Sequence, residues 1–220
     1  MKNLQQTIIQ FPNFILRTRD GHKLRGYFGQ LFKEHSAILS NHFEDGKLRY
    51  EYPLVQYKVI DRIPHLVALD EGAKLLNQLF IKIKEINIDG FTAPVLSKEI
   101  EARQVDIGYI EQLQEYRFQT PWLCLNQKNY QKYQYAGKSE QMELLKRILI
   151  GNILSFYKSF DLRLEQDQRI MVMPKVEKMV TKFKGKRLLA FEGSFVANVL
   201  LPPKVGIGRS VARGFGTLST

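Results

Sequence analysis

YEYPLVQYKVIDRIPHLVALD, residues 50 to 70, holds two strand-like runs back to back. In LVQYKVI the apolar residues alternate, which puts Val55, Tyr57 and Val59 on one face of an extended chain. HLVAL is a short continuous apolar run of the kind that forms a buried strand, and a turn around Asp61 and Pro64 joins the two. Asp70 then stands at the N-cap position of a helix carrying Ala73, Leu76, Leu79, Phe80 and Ile83 on one face.

Working outward, TIIQFPNFILRTRDG (7–21) reads as an extended region that Pro12 interrupts and Asp20-Gly21 ends. From Lys23 to about Ser40, Leu24, Phe28, Leu31, Phe32 and Leu39 recur at helical spacing. On the far side, EINIDGFTAPVLS (85–97) supplies another strand. Strand, helix, strand, strand, helix, strand is the split-βαβ, ferredoxin-like plan.

The apolar pattern weakens around residues 97–115, so a domain break is expected there, giving domains 1–97 and 98–220. YRFQTPWLCL (116–125) opens the second half as a strand, followed by a polar, tyrosine-rich connection, NQKNYQKYQYAGK (126–138). A long helix from about Ser139 to Phe160 carries Met142, Leu145, Ile148, Leu149, Ile153, Phe156 and Phe160 as its stripe. Residues 170–201 read as successive strands with a turn at Lys184-Gly185-Lys186 and a bulge or bend at Glu192-Gly193, and no strong second helix follows. The expected fold is α+β, two tandem ferredoxin-like domains with the second one modified.

The chain carries a net charge of +11, and from residue 169 onward its only acids are Glu177 and Glu192. That asymmetry suits a polyanion, nucleic acid before a membrane, because neither a basic amphipathic helix nor a lipidation signal is visible. A merely solubilising surface is the competing reading. One cysteine, Cys124, excludes an intrachain disulfide framework. Without a signal peptide or an apolar run of membrane-spanning length, a cytoplasmic location is expected.

VGIGRSVARGFGTLS (205–219) reads as a flexible, basic loop. It lacks the setting of a Rossmann or Walker loop, which opens a helix after an early strand. Gly206, Gly208, Gly214 and Gly216 allow close backbone approach, and Arg209 and Arg213 add charge that pairs with phosphate.

GIGRSVARGFG after a basic β-rich segment resembles the terminal glycine-rich loop of the RAMP superfamily of CRISPR proteins, in particular the Cas-six group of precursor-crRNA endoribonucleases. LRGYFGQLF (24–32) and NHFEDG (41–46) resemble that family's first helix and the histidine loop leaving it. The resemblance implies RNA cleavage without a metal or other cofactor, the 2′-OH attacking the scissile phosphate to leave a 2′,3′-cyclic phosphate and a 5′-OH. It implies His42 as the proton-transfer residue and Arg25 as the cation for the developing charge. His35, Tyr57, Lys58, Lys33 and Lys47 are weaker catalytic candidates, and alternation favours Tyr57 as a core residue. The sequence has no His-Glu-x-x-His motif, so no metal ligand is named.

CRISPR repeat RNA is the implied partner, with other effector subunits and a second copy of the chain admitted as further ones and no membrane. Its grip is assigned to Lys182, Lys184, Lys186 and Arg187, the first three on one ridge if the strand stays extended, together with Arg209, Arg213 and the four loop glycines. Tyr130, Tyr133 and Tyr135 could stack on unpaired bases or simply cover a loop. Two other readings stay open: a non-catalytic crRNA-binding subunit of the same superfamily, and a protein-interaction module that binds no RNA.

Overall fold

The computed structural model describes residues 1–31 and 52–219. It separates into an N-terminal unit, Asn3–Val105 with Ala212–Gly214, and a C-terminal unit, Met1–Lys2, Asp106–Val211 and Phe215–Thr220. Among the described residues no helix is long and apolar enough to cross a membrane.

In the N-terminal unit, β2 (Val55–Ile60) and β3 (Ile63–Leu69) form the expected antiparallel pair. Their turn is Asp61-Arg62, both at positive φ, the twist-matched geometry of a two-residue hairpin; Pro64 belongs to β3. β1 (Lys2–Gln10) pairs with the other edge of β3. Helices α1 (Gly21–Leu31) and α2 (Glu71–Leu79) cover one face. There Phe11, Leu24, Phe28, Val55, Tyr57, Leu66, Leu76 and Leu79 make one core, and the Tyr57 ring stacks on Phe28 at 6.0 Å between centroids. Asp70 precedes α2 as expected, but its side chain makes no cap bond. At φ +51 its carbonyl accepts the Ala73 and Lys74 N–H groups instead.

The fourth strand of this sheet is not EINIDGFTAPVLS. Those residues fold into a separate hairpin, β4 (Glu85–Ile88) with β5 (Phe91–Pro94). The place is taken by the start of β6 (Glu99–Trp122), giving the order β2-β3-β1-β6. Gln10 Nε2 donates to the Glu99 carboxylate (2.6 Å) and Arg103 Nε to Gln6 Oε1 (2.9 Å). The weak apolar pattern at 97–115 is strand with mostly exposed side chains, and the two units divide inside it, between Val105 and Asp106 of β6.

The C-terminal unit comprises the rest of β6, α3 (Gln127–Tyr135), α4 (Lys138–Lys158), β7 (Val172–Phe183), β8 (Lys186–Leu200) and β9 (Leu218–Ser219). The strand order is β7-β8-β6, with β9 on β6. It is the same split-βαβ order, with the second crossover helix replaced by a loop that holds only a 3-10 turn at Val211–Arg213. The polar connection at 126–138 is helical at α3, started by the Asn126 side chain accepting the Asn129 N–H (2.8 Å). Long α4 buries Leu144, Leu145, Leu149, Ile153, Phe156 and Tyr157, while Met142 is exposed.

Candidate nucleic-acid interface and active site

Helix α1 is fixed at its start by Asp20, which accepts the Arg17 N–H (3.1 Å) and pairs with Lys23 Nζ (2.8 Å). A Cβ on Gly21 would lie 2.6 Å from the Arg213 carbonyl oxygen and 3.1 Å from that of Tyr57. Gly214, at φ +89, closes the same junction from the other side, its hydrogen facing Tyr57 O and Lys58 Cα. Only glycine at both positions lets three backbones meet so closely. Residues 212–214 are thereby laid against the first helix of the N-terminal unit.

That junction puts two of the expected functional arginines in one field. Burial, and then the neighbouring positive charge of Arg213, hold the Arg25 guanidinium below the usual arginine range. Two like charges so placed leave a phosphate beside them attracted by both.

Tyr57 and Lys58 do not reach the surface. Tyr57 is in the core as alternation suggested, and burial pushes its phenol up, partly offset by Arg25. Lys58 is fully buried on the opposite sheet face, across from His65, and desolvation holds its pKa well below the ordinary lysine value. Solvent-facing catalysis by either is therefore not what this geometry offers. His65 is buried with Nδ1 2.8 Å from Ile63 O, and half-exposed His22 has Nδ1 2.7 Å from Arg19 O. His42, His35, Lys33 and Lys47 lie outside the described residues. Among the described residues no three His, Cys, Asp or Glu side chains gather as metal ligands would.

In the C-terminal unit the glycine-rich segment is packed rather than flexible. Gly206 and Gly216 are buried and Gly208 is half-buried, while Gly214 is buried in the N-terminal unit. Ile207 N–H donates to Gly216 O (2.9 Å), Arg209 N–H to Leu123 O (2.7 Å) and Thr217 N–H to Thr120 Oγ1 (2.9 Å). A Cβ on Gly216, at φ +63, would strike the Ile207 carbonyl. These glycines work by packing, and what they display is the arginines between them.

The expected ridge of Lys182, Lys184 and Lys186 does not form. Lys184-Gly185 is a hairpin turn with both residues at positive φ, so the run reverses there. Lys182 on β7 lies opposite Arg187 on β8, whereas Lys186 lies opposite Phe183 on the other face. All four cations of this hairpin end are exposed.

Beside it lies a cavity of about 720 Å³ bounded by α3, the hairpin end and the terminal loop, with Tyr130, Phe183, Lys186, Arg187 and Arg209 on its walls. Neither the helix at Tyr130 nor its approach to Arg209 carried a signal in the sequence. Tyr133 is buried, edge-on to Phe191, and Tyr135 is fully exposed. Only Tyr130 of the three lines the cavity.

The chain matches the Cas6b N-terminal domain family over residues 2–106 and the Cas6b C-terminal domain family over 108–220. A crystal structure of Cas6b is 35% identical with a TM-score of 0.93, covering 100% of each chain. A second, described as a CRISPR RNA processing endoribonuclease Cas6b, is 32% identical with a TM-score of 0.80, covering 99% of this chain and 98% of that one. An uncharacterized protein of Methanocaldococcus jannaschii is 34% identical over 143 residues, which are 65% of this chain and 97% of the relative.

Proposed function

The chain belongs to the Cas6b family, and on that premise we propose that it cuts precursor CRISPR RNA within the repeat, without a metal, by attack of the 2′-OH on the adjacent phosphorus. It is a CRISPR RNA-processing endoribonuclease. The 2′-oxygen forms the new P–O bond as its proton leaves to a base, and the bond to the 5′-oxygen breaks as that oxygen takes a proton. A 2′,3′-cyclic phosphate and a 5′-OH result.

The observation that carries this reading is the junction of α1, β2 and the terminal loop, which sets Arg25 beside Arg213. Two guanidiniums so placed suit the charge that accumulates on the phosphoryl oxygens. His42 is the proposed proton-transfer residue, with His35 second; Lys33 and Lys47 are the reserve cations. Histidine suits either proton transfer near neutral pH. The exposed hairpin cations Lys182, Lys184, Lys186 and Arg187, with Arg209, are the proposed grip on the RNA backbone. We place the reaction in the cytoplasm, with repeat RNA as the partner.

The test is cleavage of labelled repeat RNA in EDTA by wild type, His42→Ala and Arg25→Ala. Cutting by wild type that a 2′-deoxy substitution at the cut site abolishes supports the mechanism. Tight binding with no cleavage would instead make the chain a crRNA-binding subunit.

A further inference from the structure

The cavity of the C-terminal unit has the ingredients of a nucleotide site in one place. Its volume, about 720 Å³, lies in the range of pockets that enclose a small organic group and is far too small for a duplex. Lys186, Arg187 and Arg209 stand on its walls, and among the described residues lining it none is acidic. Arg209 is held in place by one N–H donated to Leu125 O (2.6 Å), which leaves the remainder of its planar fork for an anion.

The aromatic component is equally fixed. Tyr130 is about two-fifths exposed, and its hydroxyl accepts a hydrogen bond from Gln134 Nε2 (2.8 Å), which steadies the ring at the cavity wall. Phe183 is locked edge-on to Phe215 of the terminal loop at 5.3 Å, so the apolar floor does not depend on a ligand to form. The Gln127 amide, also on the lining, offers a donor and an acceptor of the kind that reads a base edge.

From this we infer that the cavity receives one unpaired nucleotide of the repeat RNA, its base stacked on Tyr130 and its phosphates met by Lys186, Arg187 and Arg209. The inference rests on the RNA-processing reading above and adds a position-specific contact to it. Cations alone would track a backbone without regard to position. A pre-formed aromatic wall selects the place in the repeat where the strand is single and one base can leave the stack.

The experiment places 2-aminopurine singly at each position of the repeat RNA and follows its fluorescence on binding. With wild type, one position is quenched. Tyr130→Ala restores the fluorescence at that position and weakens binding about ten-fold, the usual effect of losing one base–aromatic stack. Tyr130→Phe keeps both the quench and the affinity. Should Tyr130→Ala fail to fold, the exposed pair Lys186→Gln with Arg187→Gln probes the same cavity and is expected to lose the quench at the same position.

Quenching that survives Tyr130→Ala, or that survives the double glutamine variant unchanged, overturns the inference. So does equal binding of a fully paired repeat. If 2-aminopurine riboside monophosphate alone binds with the same dependence on Tyr130, the cavity serves a free nucleotide and the inference is wrong in its ligand. Wild type that cuts the RNA with no position quenched sinks the nucleotide site alone; wild type that neither binds nor cuts sinks the functional reading with it.

Discussion

The two units share one sheet order and differ in their second crossover. In the N-terminal unit the crossover is α2, which buries Ala73, Leu76 and Leu79 as an amphipathic helix does. In the C-terminal unit it is the glycine-rich loop, which buries Val205, Ile207, Val211 and Phe215 with no more than a 3-10 turn. A helix commits a whole stripe of side chains to its sheet, whereas a loop packed through glycine backbone leaves the positions between free to carry charge. Arg209 and Arg213 occupy those positions, one at the cavity of the C-terminal unit and the other in the N-terminal unit beside Arg25.

If the N-terminal unit does the chemistry and the hairpin end of the C-terminal unit holds the RNA, the two should separate on mutation. His42→Ala is expected to lower single-turnover cleavage by about 10²–10⁴-fold. Arg25→Ala is expected to lower it by about 10²–10³-fold. Both should leave RNA affinity nearly unchanged. Lys182→Gln with Arg187→Gln should do the reverse, weakening binding and reducing the salt slope by about 0.7 per lost phosphate contact. Equal loss of binding and cleavage in all these variants would dissolve the distinction.

The backbone-packed crossover makes a stability prediction next in size. Gly216→Ala forces a Cβ onto the Ile207 carbonyl at a positive φ and should cost about 3 kcal/mol, read as a lowered Tm. An unchanged Tm would mean that the loop yields easily and is not the counterpart of α2.

A smaller effect concerns the buried charge of the N-terminal sheet. Because burial lowers the Lys58 pKa in the folded state, the unfolded chain binds more protons between that lowered value and the ordinary lysine pKa of about 10.4. Stability therefore rises with pH across that window, and Lys58→Met should flatten the rise in a series of denaturant titrations. A slope that persists in the variant would assign it to another group.

Smallest of all, Gly151→Ala on α4 adds a Cβ that meets nothing within 4 Å and should stabilise by about 0.5–1 kcal/mol. Set against Gly216→Ala, the same added methyl then has opposite signs in a helix and in the loop that replaces one.

The sequence was legible where burial was one-sided or complete. The β2–β3 pair, the apolar face of α2 and the stripe of α4 all stand in the pattern, because each must turn apolar residues to a core. The opening of β6 was not legible, since most of its side chains are exposed and its place depends on pairing with β1. Helix α3 was hidden by its polar composition, and the Asn126 cap that starts it shows only in the structure. The lysine ridge failed for a local reason, the tolerance of Lys184-Gly185 for a positive-φ turn.

Taken by itself, the sequence pointed to the family through its two end motifs, to two split-βαβ halves through periodicity, without the strand that completes the first sheet, and to a polyanion through charge. Tertiary structure alone decided which charges meet. Arg25 and Arg213 are neighbours because Gly21 and Gly214 let backbones from opposite ends of the chain touch. Tyr130 shares a cavity with Arg187 and Arg209 because a helix, a hairpin and a loop converge there. Such juxtapositions are long-range contacts, and no local preference of any one segment encodes them.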